Sequence, residues 1–177
     1  MSHFSFFILV LISTSIFAQK KWDGGGGTNA WSNPANWTGN ILPSASDDVV
    51  LDNSVINTSY NVLLPSTAVT VKSITITAGI NKNIELTLPN TNTLAPALTV
   101  SGTGYGMTLN AGAVFRNSSG SSSGTSVNVL DSIKIVNTGR YIHNTAGAHT
   151  LNVHKLSVAP GTETGKRQGH GRYLTSA

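Results

Sequence analysis

Hydrophobic and polar residues alternate in short runs along most of this chain, from Asp48 onward. Pairs such as Val69 and Val71, or Ile74 and Ile76, put branched apolar side chains at every second position. This spacing predicts β-strands with one buried face, and no segment shows the 3.6-residue period of a helix. The fold class is therefore all-β. The runs that carry the pattern cover residues 49–51, 60–64, 69–76, 84–88, 98–100, 107–109, 113–115, 127–136, 141–143 and 151–158.

Two all-β architectures fit these runs, a parallel β-helix (solenoid) and a β-sandwich. Similar runs recur about every 20–24 residues, at Val62, Ile84, Met107, Ile133 and Val153. The runs are short, and Asn and Gly, which tolerate the left-handed backbone of tight corners, lie between them. These features favour the solenoid, with coils over residues 48–165, and the sandwich remains the alternative.

A tryptophan- and glycine-rich block precedes the coils. All three tryptophans of the chain lie within residues 22–37. The first coil of a solenoid exposes the end of its core, and bulky side chains can close it. We therefore predict a cap over residues 19–47, built on Trp22, Trp31, Pro34 and Trp37. In the alternative hypothesis, Trp31 and Trp37 stack on sugar rings and bind carbohydrate.

The first 18 residues have the features of a signal peptide. Residues 4–17 are mostly apolar, too few to cross a bilayer core of about 30 Å, and Ala18 is a suitable cleavage residue. No Lys or Arg precedes the apolar run, which departs from the usual pattern. No other stretch approaches the length of a transmembrane helix. We expect a secreted or outer-surface protein that does not span the membrane.

Composition and charge exclude several classes of function. The chain has 177 residues, no cysteine and a formal net charge of +4. Three of its eleven basic residues, Lys166, Arg167 and Arg172, lie in an atypical basic tail at residues 166–177. The rest of the chain is nearly neutral, so it offers no basic surface for nucleic acid. Because thiols are absent, disulfides and thiolate chemistry are excluded.

We predict no catalytic residue. The Gly120–Gly124 segment matches G-x-S-x-G at Ser122, but no helix follows, and we expect residues 118–125 to form a flexible loop. His143, His149 and His154 have no acidic neighbour, and we expect them on the surface or at corners. Acidic residues are too sparse for the paired carboxylates of a glycosidase.

Calcium is the one cofactor that the residues suggest. Asp47, Asp48 and Asp52 form the densest group of carboxylates, and calcium takes six to eight oxygen ligands. The alternative is that Asp47 and Asp48 only form the turn that opens the first strand of the coils.

The block from Trp22 to Trp37, with its W-x2-P-x-N-W spacing, continues into Ile41-Leu42-Pro43 and Asp47-Asp48-Val49. Over about residues 20–165 this series resembles the N-terminal β-helical region of large type IX-secreted surface proteins of Gram-negative bacteria. The resemblance implies the secretion machinery and cell-surface components or glycans as partners. It implies a non-catalytic structural or adhesive module, or alternatively the accessory N-terminal region of a secreted polysaccharide-degrading enzyme.

The apolar alternation stops after Gly165. Members of the resembled group continue with further strands, so we expect a truncated or frame-shifted chain, a fragment whose set of coils is incomplete.

Overall fold

The computed structural model describes residues 19–122 and 124–145 with their side chains, and the backbone of two later strands at 151–158 and 172–175. The chain is a parallel β-solenoid of about four turns, which confirms the predicted fold and rejects the sandwich. Two short 3₁₀ turns, Pro34–Asn36 and Thr38–Asn40, lie in the tryptophan block. The strands are β1 Gln19–Lys21, β2 Asp48–Asp52, β3 Tyr60–Leu63, β4 Val69–Val71, β5 Ser73–Thr77, β6 Ile84–Leu88, β7 Leu98–Val100, β8 Tyr105–Leu109, β9 Ala113–Asn117, β10 Val127–Ile135, β11 Arg140–His143, β12 Leu151–Val158 and β13 Arg172–Thr175.

Each coil contains three strand segments that pair in parallel with the same segments of the next coil. We call the three resulting surfaces the first, second and third face. The first face is formed by β1, β2, β5, β8 and the second half of β10, and the second face by β3, β6, β9 and β11. The third face is formed by β4, β7 and the first half of β10. The antiparallel strand β13 adds to the second face beside β11.

The coils are longer and less regular than the predicted repeat. Val49 pairs with Ile74, a spacing of 25 residues, whereas Ile74 pairs with Met107, a spacing of 33. The predicted period was wrong because the corners between strands differ widely in length. Between β4 and β5 the corner is Lys72 alone, while 9 residues (89–97) separate β6 from β7. Sequence spacing alone therefore mixed residues of different faces.

Inward-facing side chains stack in columns along the solenoid axis. One column on the second face consists of Val62, Leu86, Phe115 and Tyr141, all buried and in register. The Phe115 and Tyr141 rings lie 5.4 Å apart between centroids. Because each inward residue rests on an inward residue of the next coil, the core is continuous from coil to coil.

The start of the serine-rich segment, residues 118–121, packs on the preceding coil and is not the flexible loop that its composition predicted, whereas Ser122 and Gly124 are exposed. Ser119 is fully buried, its hydroxyl donates to the Asn92 carbonyl at 3.1 Å, and Gly120 N–H donates to the same carbonyl at 3.0 Å. A Cβ at Gly120 would collide with the Asn90 backbone. Small residues are required here because the segment packs tightly on the preceding coil.

Corner glycines give a direct test of the coil stacking. Gly112 and Gly104 both have positive φ, 68° and 77°. A Cβ at Gly112 would also collide with the Lys82 carbonyl, whereas a Cβ at Gly104 would meet nothing within 4 Å. We expect Gly112→Ala to lower the free energy of unfolding by about 3 kcal/mol or more, and Gly104→Ala by about 1–2 kcal/mol. Chemical denaturation of both variants measures the difference, and equal effects would contradict the stacking shown.

Candidate functional site

The tryptophan block lies on the first coil, and its three indoles pack into the end of the core. Trp22, Trp31 and Trp37 are 2%, 3% and 0% exposed. The Trp37 ring meets the other two edge-on, at centroid distances of 5.0 Å to Trp22 and 4.6 Å to Trp31. Its Nε1–H donates to the Trp31 carbonyl at 2.8 Å. Edge-to-face contacts of this kind add to the stabilisation from burial itself.

Asn36 holds the backbone of the block around these rings. It is fully buried, its Oδ1 accepts from Gly26 N–H at 3.0 Å, and its Nδ2 donates to Thr28 Oγ1 and to the Ala30 carbonyl, both at 3.0 Å. Pro34 is exposed at the start of the 3₁₀ turn, where its missing N–H costs nothing. One buried amide thus satisfies three groups of a glycine-rich loop that has few side chains of its own.

The burial of Trp31 and Trp37 bears on the two predictions made for them. Neither ring presents a face to solvent, so neither offers a platform for stacking on a sugar in this structure. The geometry favours the role of a lid for both Trp31 and Trp37.

The three aspartates suggested for calcium do not converge. Asp47 accepts from the N–H and hydroxyl of Ser44, at 2.7 and 2.8 Å. Asp48 and Asp52 lie at opposite ends of β2, about 13 Å apart at 3.3 Å per residue. One calcium ion with ligands at about 2.3–2.6 Å cannot reach both. In the side chains that the structure describes, no three metal-binding residues form a group. Calcium stays a prediction.

Each of these carboxylates has its own local partners. Asp48 accepts from Lys72 Nζ at 2.9 Å and Ser73 Oγ at 2.6 Å, and burial raises its pKa less than these bonds lower it, so the pKa is below the ordinary value. The same balance lowers the pKa of Asp52, which pairs with Lys21 at 3.1 Å.

An acidic and basic cluster lies on the outside of the second face. Glu85 accepts from Arg116 through two bonds, 2.7 Å from Nε and 3.0 Å from the second guanidinium nitrogen. Burial acts to raise the pKa of Glu85, but the bonds from Arg116 and Thr87 and the charges of Arg116 and Arg140 outweigh it and hold the pKa below its usual value. This fork-shaped pair joins neighbouring coils and occupies both oxygens of the Glu85 carboxylate.

The sequence predicted His143 on the surface or at a corner; it is the last residue of β11, and the surface position was wrong. His143 is 9% exposed, lies in register with Asn117 and Leu88, and has Nε2 3.2 Å from Thr145 Oγ1. His149 and the side chain of His154 lie outside the described residues. Ser122 is exposed in its loop, and the next element is a strand rather than a helix.

A neutral, open cleft of about 620 Å³ lies beside the tryptophan block. Gly24 and Trp22 form one side, and Ile56, Tyr60 and Asn61 come from the next coil. The sequence pattern did not predict this site, because the residues that line it are far apart in the chain. The one signal that could have pointed to it is the run of four glycines, which lets the backbone approach a neighbouring coil closely.

A row of neutral polar side chains follows the outside of the third face, exposed at Thr70 and half-buried at Thr99 and Asn128. Thr70, Thr99 and Asn128 point outward and lie in register on successive strands.

The site and fold together define a parallel β-solenoid with three indoles packed over its first described coil. Comparisons with protein-family models, curated proteins and solved structures found no match. No helix in the described part of the chain is long and apolar enough to cross a membrane.

We expect a single substitution at Asn36 to cause a large loss of folding stability. Asn36→Ala leaves the Gly26 N–H without its acceptor and removes one of the two bonds to the Ala30 carbonyl, and we expect a loss of about 2–4 kcal/mol in the free energy of unfolding. Asn33→Ala is the matched control, because Asn33 is only half-buried and caps a 3₁₀ turn, and should cost about 1 kcal/mol. Urea denaturation followed by tryptophan fluorescence reports on the block directly. A smaller effect for Asn36 than for Asn33 would refute this account.

We expect Glu85 to contribute to the free energy of unfolding by an amount that depends on pH. Because its pKa is lower in the folded chain than the ordinary 4.5, the contribution is complete above that value and is lost as pH falls through the folded pKa. We expect Glu85→Gln to be less stable than the parent chain at pH 7, with the gap closing in acid. Denaturation midpoints between pH 7 and pH 3 measure the gap, and a gap that stays constant with pH would contradict the assignment.

Proposed function

We propose that this chain is an exported, non-catalytic β-solenoid module with a structural or adhesive role at the outer cell surface. The observation that carries the proposal is the combination of a parallel solenoid with a row of neutral polar side chains on its third face, exposed at Thr70 and half-buried at Thr99 and Asn128. Such a face offers repeated hydroxyl and amide groups at the spacing of neighbouring strands, about 4.8 Å. Repeated weak hydrogen bonds suit contact with a surface rather than the turnover of a substrate.

The state of the acidic side chains supports a non-catalytic role. A general acid or base must be within hydrogen-bond reach of the substrate. The six acidic residues with described side chains all accept hydrogen bonds from the chain itself, and several also form ion pairs. They are Asp23, Asp47, Asp48, Asp52, Glu85 and Asp131.

Localisation tests the proposal. In the cells that encode the chain, we expect the mature N-terminus to be Gln19 and the protein to be digested when intact cells are treated with an external protease. A chain lacking residues 2–18 is the control and should stay protected inside. Loss of the gene should also reduce attachment of the cells to a surface. A full-length chain retained in the cytoplasm with Met1 intact would refute the proposal.

A further inference from the structure

The cleft beside the tryptophan block has the size and the lining of a small-ligand site. Its volume of about 620 Å³ lies within the range of such sites, roughly 300–1,000 Å³. We propose that it binds a neutral sugar unit of a glycan. This inference rests on the proposed adhesive function and gives that function a specific contact. The residues that carry it are Trp22, Gly24, Asn29, Ile56, Tyr60 and Asn61.

An aromatic and an aliphatic side chain form the apolar part of the cleft. Tyr60 and Ile56 are both half-buried and pack against the core. The Tyr60 hydroxyl donates to the Asp52 carbonyl at 2.9 Å, which fixes the ring. Burial, together with the charge of Asp52, raises the pKa of Tyr60, so the ring stays neutral. A fixed neutral ring beside a methyl-bearing chain suits the C–H face of a sugar.

Polar groups that have no hydrogen-bond partner among the described residues lie around this apolar part. The Trp22 indole N–H is buried and has no acceptor among the described residues, and Nε1 lies 3.7 Å from the position of a Cβ on Gly24. A buried donor left unpaired is costly, so an acceptor from a ligand or water is favoured at this point. The amides of Asn29 and Asn61 are exposed and have no recorded side-chain bond. Each amide supplies both donors and an acceptor, as sugar hydroxyls require.

The backbone holds these groups in place before any ligand arrives. Asn29 carbonyl accepts from Leu63 N–H at 2.8 Å, and Trp31 N–H donates to the Leu63 carbonyl at 2.9 Å. This bridge fixes Asn29 next to the strand that carries Asn61. Gly24 has a φ of 67°, which favours glycine, and a Cβ there would lie 2.7 Å from Ile56 Cδ1 and push the end of that side chain aside. A rigid site loses little entropy on binding.

Charge determines the class of ligand. None of the residues lining the cleft is charged. The charged groups nearest in sequence or register are already bonded: Asp23 to Gly25 N–H, Asp52 to Lys21, and Glu85, opposite Asn61, to Arg116. A phosphate, a uronic acid or an amine would lose hydration without gaining a counter-charge. A neutral sugar has no such penalty.

The test is calorimetric titration of the purified chain with neutral oligosaccharides (cellohexaose, xylohexaose, mannohexaose and laminarihexaose) and with oligogalacturonate. We expect binding of at least one neutral probe and none of oligogalacturonate. Asn61→Ala and Asn29→Ala should each weaken that binding about fivefold to tenfold. Asn90→Ala, an exposed asparagine on a corner between β6 and β7, is the matched control and should not change it.

Trp22→Phe separates the indole N–H from the packing of the ring. It should weaken binding by a similar factor, while Trp31→Phe, the same change in the same block away from the cleft, should not. Three results would overturn the inference: no binding of any neutral probe, equal loss in the variant and its control, or preference for oligogalacturonate. Failure of the cleft leaves the localisation result unchanged, and a cytoplasmic chain that still binds sugar would refute only the surface role.

Discussion

The burial of the three indoles over the first coil is the interaction on which the rest of the solenoid depends. Every inward column needs a neighbour on both sides, and the first coil has a neighbour on one side only. Trp22, Trp31 and Trp37 supply the missing contact with large rings that pack edge to face. Because Asn36 fixes the loop that carries them, one polar side chain controls the order of an apolar lid.

Alternation along the chain was sufficient to predict most of the strands, since a period of two follows from the geometry of a strand alone. It did not predict β1 or β13, which lie in the predicted cap and in the basic tail. The coil length was not predictable in the same way, because corners as different as Lys72 alone and residues 89–97 serve the same topology. The cleft was also beyond the sequence pattern. It depends on Gly24 meeting Ile56 and on Asn29 lying beside the strand of Asn61, contacts that no local spacing encodes.

The mistaken prediction for the serine-rich segment has a physical explanation in the core. The column that begins with Leu88 continues with Asn117 and His143, so it changes from apolar to polar along the axis. The polar groups of the Asn117 side chain must therefore find hydrogen-bond partners inside the protein. The side-chain Nδ2 of Asn117 donates to Ser126 Oγ at 2.9 Å, and its Oδ1 accepts from Ser119 N–H at 3.1 Å. A buried amide therefore orders a segment whose composition alone indicates a loop.

The ion pairs on the outer surface connect one coil to the next and specify register more than they add stability. Lys21 pairs with Asp52, Lys72 with Asp48, and Arg116 with Glu85. Pairs as exposed as these contribute about 0–1 kcal/mol each. A slip of one residue between coils, however, would turn every inward side chain of a strand outward. Charges placed in register penalise that slip at little cost elsewhere. The third-face row and the cleft are then left free of charge, which is the condition that contact with a neutral ligand requires.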